Sequence, residues 1–417
     1  MVSSRQTGWV AIAFAALVAV CLSAMPSSAR AEGWPAPSWE TGVAQAENLQ
    51  LRLGVFGPAK GMTTQFGHTS IVVENTRTGE SRLYNYGMFS FDPYLLVRFA
   101  MGRLWFWVGQ QPEYPTYRFY RRQDRDVRIH ELNLPPDKRM QIARFLAWNV
   151  KEANRGYLYH HYYDNCATRP RARLDAAVDG ALYEATKYET DLTLREHTRR
   201  YTHYSLWGDM LLMFMMNDSI DKPVREWDAM FLPDEIQQNV EPLTYTTPSG
   251  EERKLIESTT VYYDADDRQI PPGRAPPNWP WALLLGLGLG AGGLALGVWW
   301  KRERESTLRR SLFGVYNALL GLVPGLPGLL LFVMALVTDH RVTYLNENLF
   351  FANATSAAAL PLGIAIALGK DWSVEWLKWV WTGMVATGML GILVKVLPSF
   401  DQQNRITICF IFPISVG

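Results

Sequence analysis

The chain has 417 residues, 41 Lys and Arg against 40 Asp and Glu, a net charge of +1 and 48% hydrophobic residues. That length accommodates two domains with a sizeable core, and the near-neutral balance gives no electrostatic footprint for nucleic acid. Long uncharged runs crowd the last third while charge and turn residues fill 32–280, which excludes a uniformly soluble chain and predicts a soluble domain followed by a membrane domain.

Residues 1–31 predict a signal peptide or N-terminal anchor: Arg5, the apolar run "WVAIAFAALVAVCLSA", then small residues at Ala29-Arg30-Ala31. Val20 before Cys21 makes a poor lipobox. "FGHTSIVVENTRTGESRLYNYGMFSF" (66–91) predicts a β-hairpin turning at "NTRTGE". If Glu74 opposes Ser81, then His68, Ser70 and Val72 share a face with Leu83, Asn85 and Gly87; a one-residue slip presents Tyr84 and Tyr86 instead. "MFSFDPYLLVRFAMGRLWFWVG" (88–109) is apolar but broken by Asp92, Pro93, Arg98 and Arg103, the pattern of a segment lying in a membrane interface. "TYRFYRR" and "DVRIHELNL" (116–134) predict two further strands.

"PPDKRMQIARFLAWNVKEAN" sets Ile142, Phe145, Leu146, Asn149 and Val150 at helical spacing. Cys166 opens a second helical stretch, "CATRPRARLDAAVDGAL", with Pro170 in its first turn. The Met-rich run "YSLWGDMLLMFMMNDS" (204–219) suits either core packing or an acyl chain. "DADDRQIPPGRAPPNWPW" (264–281) is a Pro-rich linker, followed by four segments long enough to cross a bilayer, about 281–300, 312–337, 352–369 and 376–397. "KRERESTLRR" after the first span places that loop in the cytoplasm. The 32–265 domain and the loop "TDHRVTYLNEN" (338–348) then face an oxidising, periplasm-like space. Residues 401–417 remain as a tail.

Cys166 has no partner within its own domain, and an unpaired thiol in an oxidising compartment needs a reason. At a helix N-terminus its thiolate is stabilised, and the same N–H groups, with Asn165, are candidates for an oxyanion hole. His160 and His161 are nearest in sequence, but catalytic partners are close in space; His68, on a strand behind Gly67, is the candidate base, with Asn85 orienting it. Arg169, Tyr84 and His161 are candidates for substrate contact, and Arg169, Arg171 and Arg173 suit either phosphate or a solvated face. His160, His161, Asp164 and Cys166 match no recognised zinc spacing, so no metal and no organic cofactor is expected. His340, Asn346 and Asn348 either reach the site from the outer loop or form a polar turn.

The set "FGHTSIVV", "YNYGMFSF", "HYYDNCATRPR" and "MFLPDEI", followed by "TDHRVTYLNENLFFAN" in the membrane part, resembles the Lnb-type lipoprotein N-acyltransferases over most of the chain after the leader. The resemblance implies an α+β periplasmic domain, a permuted papain-like (NlpC-P60-like) antiparallel sheet packed with helices. An all-α membrane domain of about four transmembrane helices then follows, in the bacterial inner membrane. By motif, Cys166 matches the nucleophile and His68 its base, while Asn85 and Tyr86 fall in the shared "YNYG". The implied reaction moves an acyl chain from a membrane phospholipid, through a cysteine thioester, to the N-terminal amine of a diacylated lipoprotein. A membrane-tethered cysteine peptidase or amidase acting on peptidoglycan would use the same pair, though the aromatic stretch 88–109 fits it poorly. A transporter would need buried ionisable residues in its spans, and Lys378 and Lys395 lie near span ends.

Overall fold

The computed structural model describes residues 34–59, 61, 64–90, 98, 101–266 and 270–417. The leader and residues 91–97 and 99–100 of the expected interfacial segment lie outside the described residues, while the end of that segment, from Trp105, is a strand of the sheet rather than a surface segment. The N-terminal part is built on a seven-stranded antiparallel sheet in the order β11-β5-β1-β2-β3-β4-β6. Its strands are β1 (Leu49–Phe56), β2 (His68–Asn75), β3 (Glu80–Met88), β4 (Trp105–Gln111), β5 (Val127–Leu132), β6 (Gly156–Leu158) and β11 (Ile256–Tyr263). Two small ribbons, β7 (Glu189–Thr193) with β8 (Pro223–Arg225) and β9 (Thr244–Thr246) with β10 (Glu252–Lys254), stand outside it. The β2–β3 hairpin has the expected register, Glu74 opposite Ser81 and Ser70 opposite Asn85.

Both faces of the sheet are covered, which is why "SIVV" on β2 reads as a continuous apolar run. One face carries the main core, in which Leu51, Ile71, Val73, Tyr84 and Tyr86 pack with Ile142, Leu146, Leu174 and Ile236. Those partners come from α3 (Pro136–Asn149), α4 (Thr168–Ala177) and α9 (Pro233–Val240), with α1 (Ser38–Thr41) contributing Trp39 beside them. The other face is covered by α2 (Glu113–Arg122), whose Tyr117 and Tyr120 lie on Phe56, Val72 and Leu83.

That helix corrects the expectation of a strand at "TYRFYRR". Its β-branched and aromatic content favours a strand, but Glu113, Thr116, Tyr117 and Tyr120 are buried at spacings of three and four. Arg52 fixes the helix start by donating to both Glu113 oxygens at 2.8 and 2.9 Å, and Tyr117 donates to Glu113 Oε1 at 3.1 Å. The stretch opened by Cys166 is also broken in two. After α4, Asp179 and Gly180 adopt positive φ (52° and 88°) before α5 (Ala181–Thr186).

The remaining helices lead to the membrane part: α6 (Leu194–Thr202), α7 (Leu206–Met215) and the short α8 (Glu226–Ala229). Among the described residues, three helices are long and apolar enough to span: α10 (Trp279–Lys301), α11 (Thr307–Val337) and α13 (Trp372–Leu393, continuing to Val396). Residues Arg341–Phe350 and Ala354–Ala367, the latter containing α12 (Ala359–Ala367), form a pair bent by 61°, the shape of a broken span or a re-entrant loop, and make a fourth span if the pair is counted as one. Glycines 314, 321, 325 and 328 let α11 approach this broken span, since a Cβ there would meet backbone or alanine atoms of 352–367. The expected tail is instead α14 (Arg405–Val416), packed on α10 where Gly286 and Gly290 face the carbonyls of Phe410 and Pro413.

The two parts are joined through α7. Met213 and Phe214 pack with Leu331, Phe351 and Phe410, so part of the Met-rich run is an interface to the membrane helices. The open carbonyls at the α7 C-terminus are capped by amides: Asn346 to Phe214 and Met215, Asn348 to Phe214, and Gln402 to Met216. Asn346 and Asn348 thus act as a polar clasp. Arg103 Nε donates to Asp339 at 2.6 Å and the Asp339 amide to Met101 O at 2.9 Å, tying the start of β4 to the loop 338–341.

Candidate active site

His68 is the first residue of β2, behind Gly67, whose φ of +80° and contact with Phe56 O leave no room for a side chain. The imidazole sits near Phe56 and Tyr120, at ring distances of 6.3 and 6.2 Å. Its Nε2 lies 2.5 Å from Asn85 Oδ1, and Asn85 Nδ2 donates to Gln111 Oε1 at 3.0 Å. An amide oxygen only accepts, so this chain of bonds assigns Nε2 the proton and leaves Nδ1 bare. The hairpin register determines that Asn85, and not its neighbours, is the residue reaching the imidazole.

Cys166 precedes α4 by two residues. Thr69, the residue after His68, donates from Oγ1 to Cys166 O at 2.5 Å, and its backbone amide favours the sulfur's anionic form. The loop carrying the thiol is therefore fastened to the start of the histidine strand, one residue from the imidazole. On the other side lies Gly87, φ +91°, where a Cβ would come 3.6 Å from Cys166 Cβ and 4.0 Å from the Tyr157 hydroxyl. The break in β3–β4 pairing between Asn85 and Met88 falls here, the kind of irregularity that bends a strand beside a site.

The resting pair is neutral. Burial pushes the thiol up to about 11, against the Thr69 amide, its own amide and Arg125, all of which favour the anion. Burial pulls the imidazole down to about 4; the Asn85 bond opposes this and Arg125 adds to it. The sequence expectation of a standing thiolate is replaced by a thiol that must lose its proton during the reaction.

The structure separates the other candidates. Asn165 is a clamp rather than an oxyanion donor: Oδ1 accepts from the Ala167 and Thr168 amides at 2.7 and 2.8 Å, and Nδ2 donates to His161 O and Phe231 O at 2.6 and 3.0 Å. It thereby occupies amides of the helix start that the sequence reading assigned to an oxyanion hole. Tyr84 and Tyr86 point into the main core, where Tyr84 accepts from Trp39 at 3.1 Å and Tyr86 donates to Asn149 at 2.8 Å. They lie on the opposite face from Asn85, as period-two alternation requires. His161 packs among Phe66, Tyr162 and Phe231, and burial lowers it to about 4.

His160 bridges to Asp164 through the backbone, and among the described residues no three His, Cys, Asp or Glu side chains gather as a metal site. Arg169 is held by both Asp164 oxygens (2.6 and 2.9 Å) and covers the Tyr157 ring at 3.7 Å. Arg171 donates to Trp227 O and Arg173 lies over Phe145 at 4.4 Å, so none of the three is presented for a phosphate.

Tyr157 is a site residue the sequence reading missed. It is 4% exposed on β6, and its hydroxyl has no hydrogen-bond partner among the described residues. The signal was present as a tyrosine nine residues before the cysteine, but only the fold shows where it points. The motif "MFLPDEI" also acquires a role: Phe231 O anchors Asn165, and Pro233 packs beside Gly67.

The thiol loop also lies near the membrane part. Tyr159 N donates to Leu104 O at 2.8 Å, next to the Arg103–Asp339 bond, and His160 is close enough to feel the Arg341 charge.

Comparison with known proteins adds two findings. Residues 36–200 match the family model for the Lnb N-terminal periplasmic domain, and residues 299–411 match that for the Lnb transmembrane domain. No curated protein and no solved structure matches.

Proposed function

The chain belongs to the Lnb-type family, a periplasmic domain followed by a C-terminal membrane domain, and from that premise we propose that it is a thiol-dependent lipoprotein N-acyltransferase of the bacterial inner membrane. The observation that carries the reading is the thiol of Cys166 fastened by Thr69 beside the His68–Asn85 pair, on a loop close to the outer membrane loop.

In the proposed reaction, His68 Nδ1 takes the Cys166 proton as sulfur attacks an ester carbonyl of a membrane phospholipid. The negative oxygen of the tetrahedral intermediate is met by the Tyr157 hydroxyl and the Cys166 amide. As the ester C–O bond breaks, the proton on Nδ1 passes to the glycerol oxygen and lysophospholipid leaves. The acyl group remains as a thioester. The free α-amine of a diacylglyceryl-cysteine lipoprotein then attacks the thioester and gives its proton to Nδ1. The C–S bond breaks, and the sulfur recovers that proton. Asn85 holds the imidazole in the tautomer both half-reactions need.

The test is conversion of a purified diacylated lipoprotein to its N-acylated form in phospholipid vesicles. Conversion by the intact protein, abolished by Cys166→Ala and by His68→Ala, is the expected result. Failure to convert, combined with cleavage of purified peptidoglycan, would replace it with the amidase reading.

A further inference from the structure

Arg125 lies in the turn between α2 and β5, after Asp124 at φ +52°, and is 3% exposed. Its Nε donates to Gly57 O at 2.7 Å and its guanidinium lies 4.6 Å over the Tyr120 ring, the same ring that neighbours His68 at 6.2 Å. Its Nη2 is buried with no partner, and among the described residues no carboxylate pairs with it. A buried guanidinium lacking a counter-ion is costly, and breaking even one partner from such a group is strongly destabilising. Its retention at this place calls for an anion that forms there.

The groups acting on the Cys166 sulfur can be named from every side. β2 supplies the Thr69 amide, next to His68; α2 supplies Tyr120, β6 supplies Tyr157, the residue just after β6 supplies Tyr159, and the α2–β5 turn supplies Arg125. Burial raises all three tyrosines, so they stay protonated, and His68 is neutral. Asp164, farther out, is neutralised by Arg169. Arg125 is thus the one standing charge in the set acting on sulfur.

We propose that Arg125 is the built-in counter-cation of this site, favouring negative charge on the Cys166 sulfur while disfavouring positive charge on His68. It is a positioning residue acting through its charge, without touching substrate. The proton that His68 receives is then held weakly and handed on to the leaving glycerol oxygen rather than stored as an imidazolium. The directions of both titrations agree: the guanidinium favours ionisation of the thiol and opposes protonation of the imidazole. The inference rests on Cys166 being the nucleophile of the proposed function.

The experiment is alkylation of the full-length protein in detergent micelles by iodoacetamide, as a function of pH, with Cys166→Ala subtracting Cys21 and Cys409. This reads the thiol with no acyl donor present, so its outcome is independent of whether acyl transfer occurs. Arg125→Met is expected to move the profile to higher pH by about one unit, an alkylation rate roughly tenfold lower at pH 8. Arg125→Lys, which keeps the charge, should stay within about threefold of the unmodified protein. A folded Arg125→Met variant alkylated like the unmodified protein across pH 7–10, or a folded Lys variant as slow as the Met one, would overturn the assignment. Thermal melts establish folding. If Arg125→Met does not fold, Arg125→Gln is read the same way. If neither folds, the Lys profile decides: coincidence with the unmodified protein supports the role and a tenfold loss refutes it.

Discussion

Replacing Tyr157 by Phe removes one oxygen atom and leaves the ring under Arg169 at 3.7 Å. Because the hydroxyl is buried with no partner among the described residues, the fold they form loses no hydrogen bond. An unsatisfied buried polar group costs about 1–3 kcal/mol, so thermal stability should be unchanged or should rise. The kinetic expectation is the reverse. If the hydroxyl meets the oxyanion, its loss should slow thioester formation by about 10²–10³-fold, equivalent to about 2.7–4 kcal/mol in the barrier. The assay is single-turnover acylation of the enzyme in phospholipid nanodiscs, followed by intact mass, alongside a melting curve. A variant at least as stable as the parent and acylated a hundredfold more slowly fits the reasoning. Acylation at the parental rate would remove Tyr157 from the chemistry, and a large drop in stability would mean that the hydroxyl has a partner in solution.

Two further outcomes follow from the same geometry. Asn85→Ala takes away the acceptor of the His68 Nε2 proton and frees the imidazole to change tautomer. It should lower kcat at least tenfold, within the ~10²–10⁴ that a general base contributes, with KM for the phospholipid nearly unchanged; an effect confined to KM would contradict the assigned role. Burial holds His68, His161 and His197 at about 4 in the fold, below their usual value near 6.5, so the unfolded chain binds more protons between those limits. Melting temperature should therefore fall as pH is lowered from 6.5 to 4, and turnover should show no titration near 6.5 while the fold is intact. An activity loss centred near 6.5 in fully folded protein would show an imidazole that is not enclosed as described.

The hairpin was legible because two strand-forming runs flank the turn signal "NTRTGE", but its register stayed open by one residue, since β2 is covered on both faces and reads as a continuous apolar run; the observed pairing of Ser70 with Asn85 is what brings Asn85 to His68. The helix at Glu113–Arg122 was not, since its aromatic and β-branched residues carry strand preference and its partner, Arg52, lies 61 positions away. Asn165 was misread for a related reason. A residue beside a nucleophile at a helix start suggests a donor to the oxyanion, yet its four bonds run to the loop and to Phe231, 66 residues downstream. Tyr157 and Arg125 share the opposite difficulty. Nothing local distinguishes them from other tyrosines and arginines, and only long-range packing leaves the Tyr157 hydroxyl and Arg125 Nη2 buried without partners among the described residues. The spans were visible from apolar length, whereas the clasp of Asn346, Asn348 and Gln402 on α7 depends on carbonyls that only the folded helix end exposes.

The central claim is that Cys166 carries a fatty chain between two lipids, and intact-mass spectrometry of the protein taken from phospholipid membranes without acceptor tests it most directly. The expected spectrum has a hydroxylamine-labile acyl adduct that maps to Cys166 and disappears when diacylated lipoprotein is added. A thiol that stays unmodified in the presence of phospholipid, or an adduct that lipoprotein does not discharge, would contradict it.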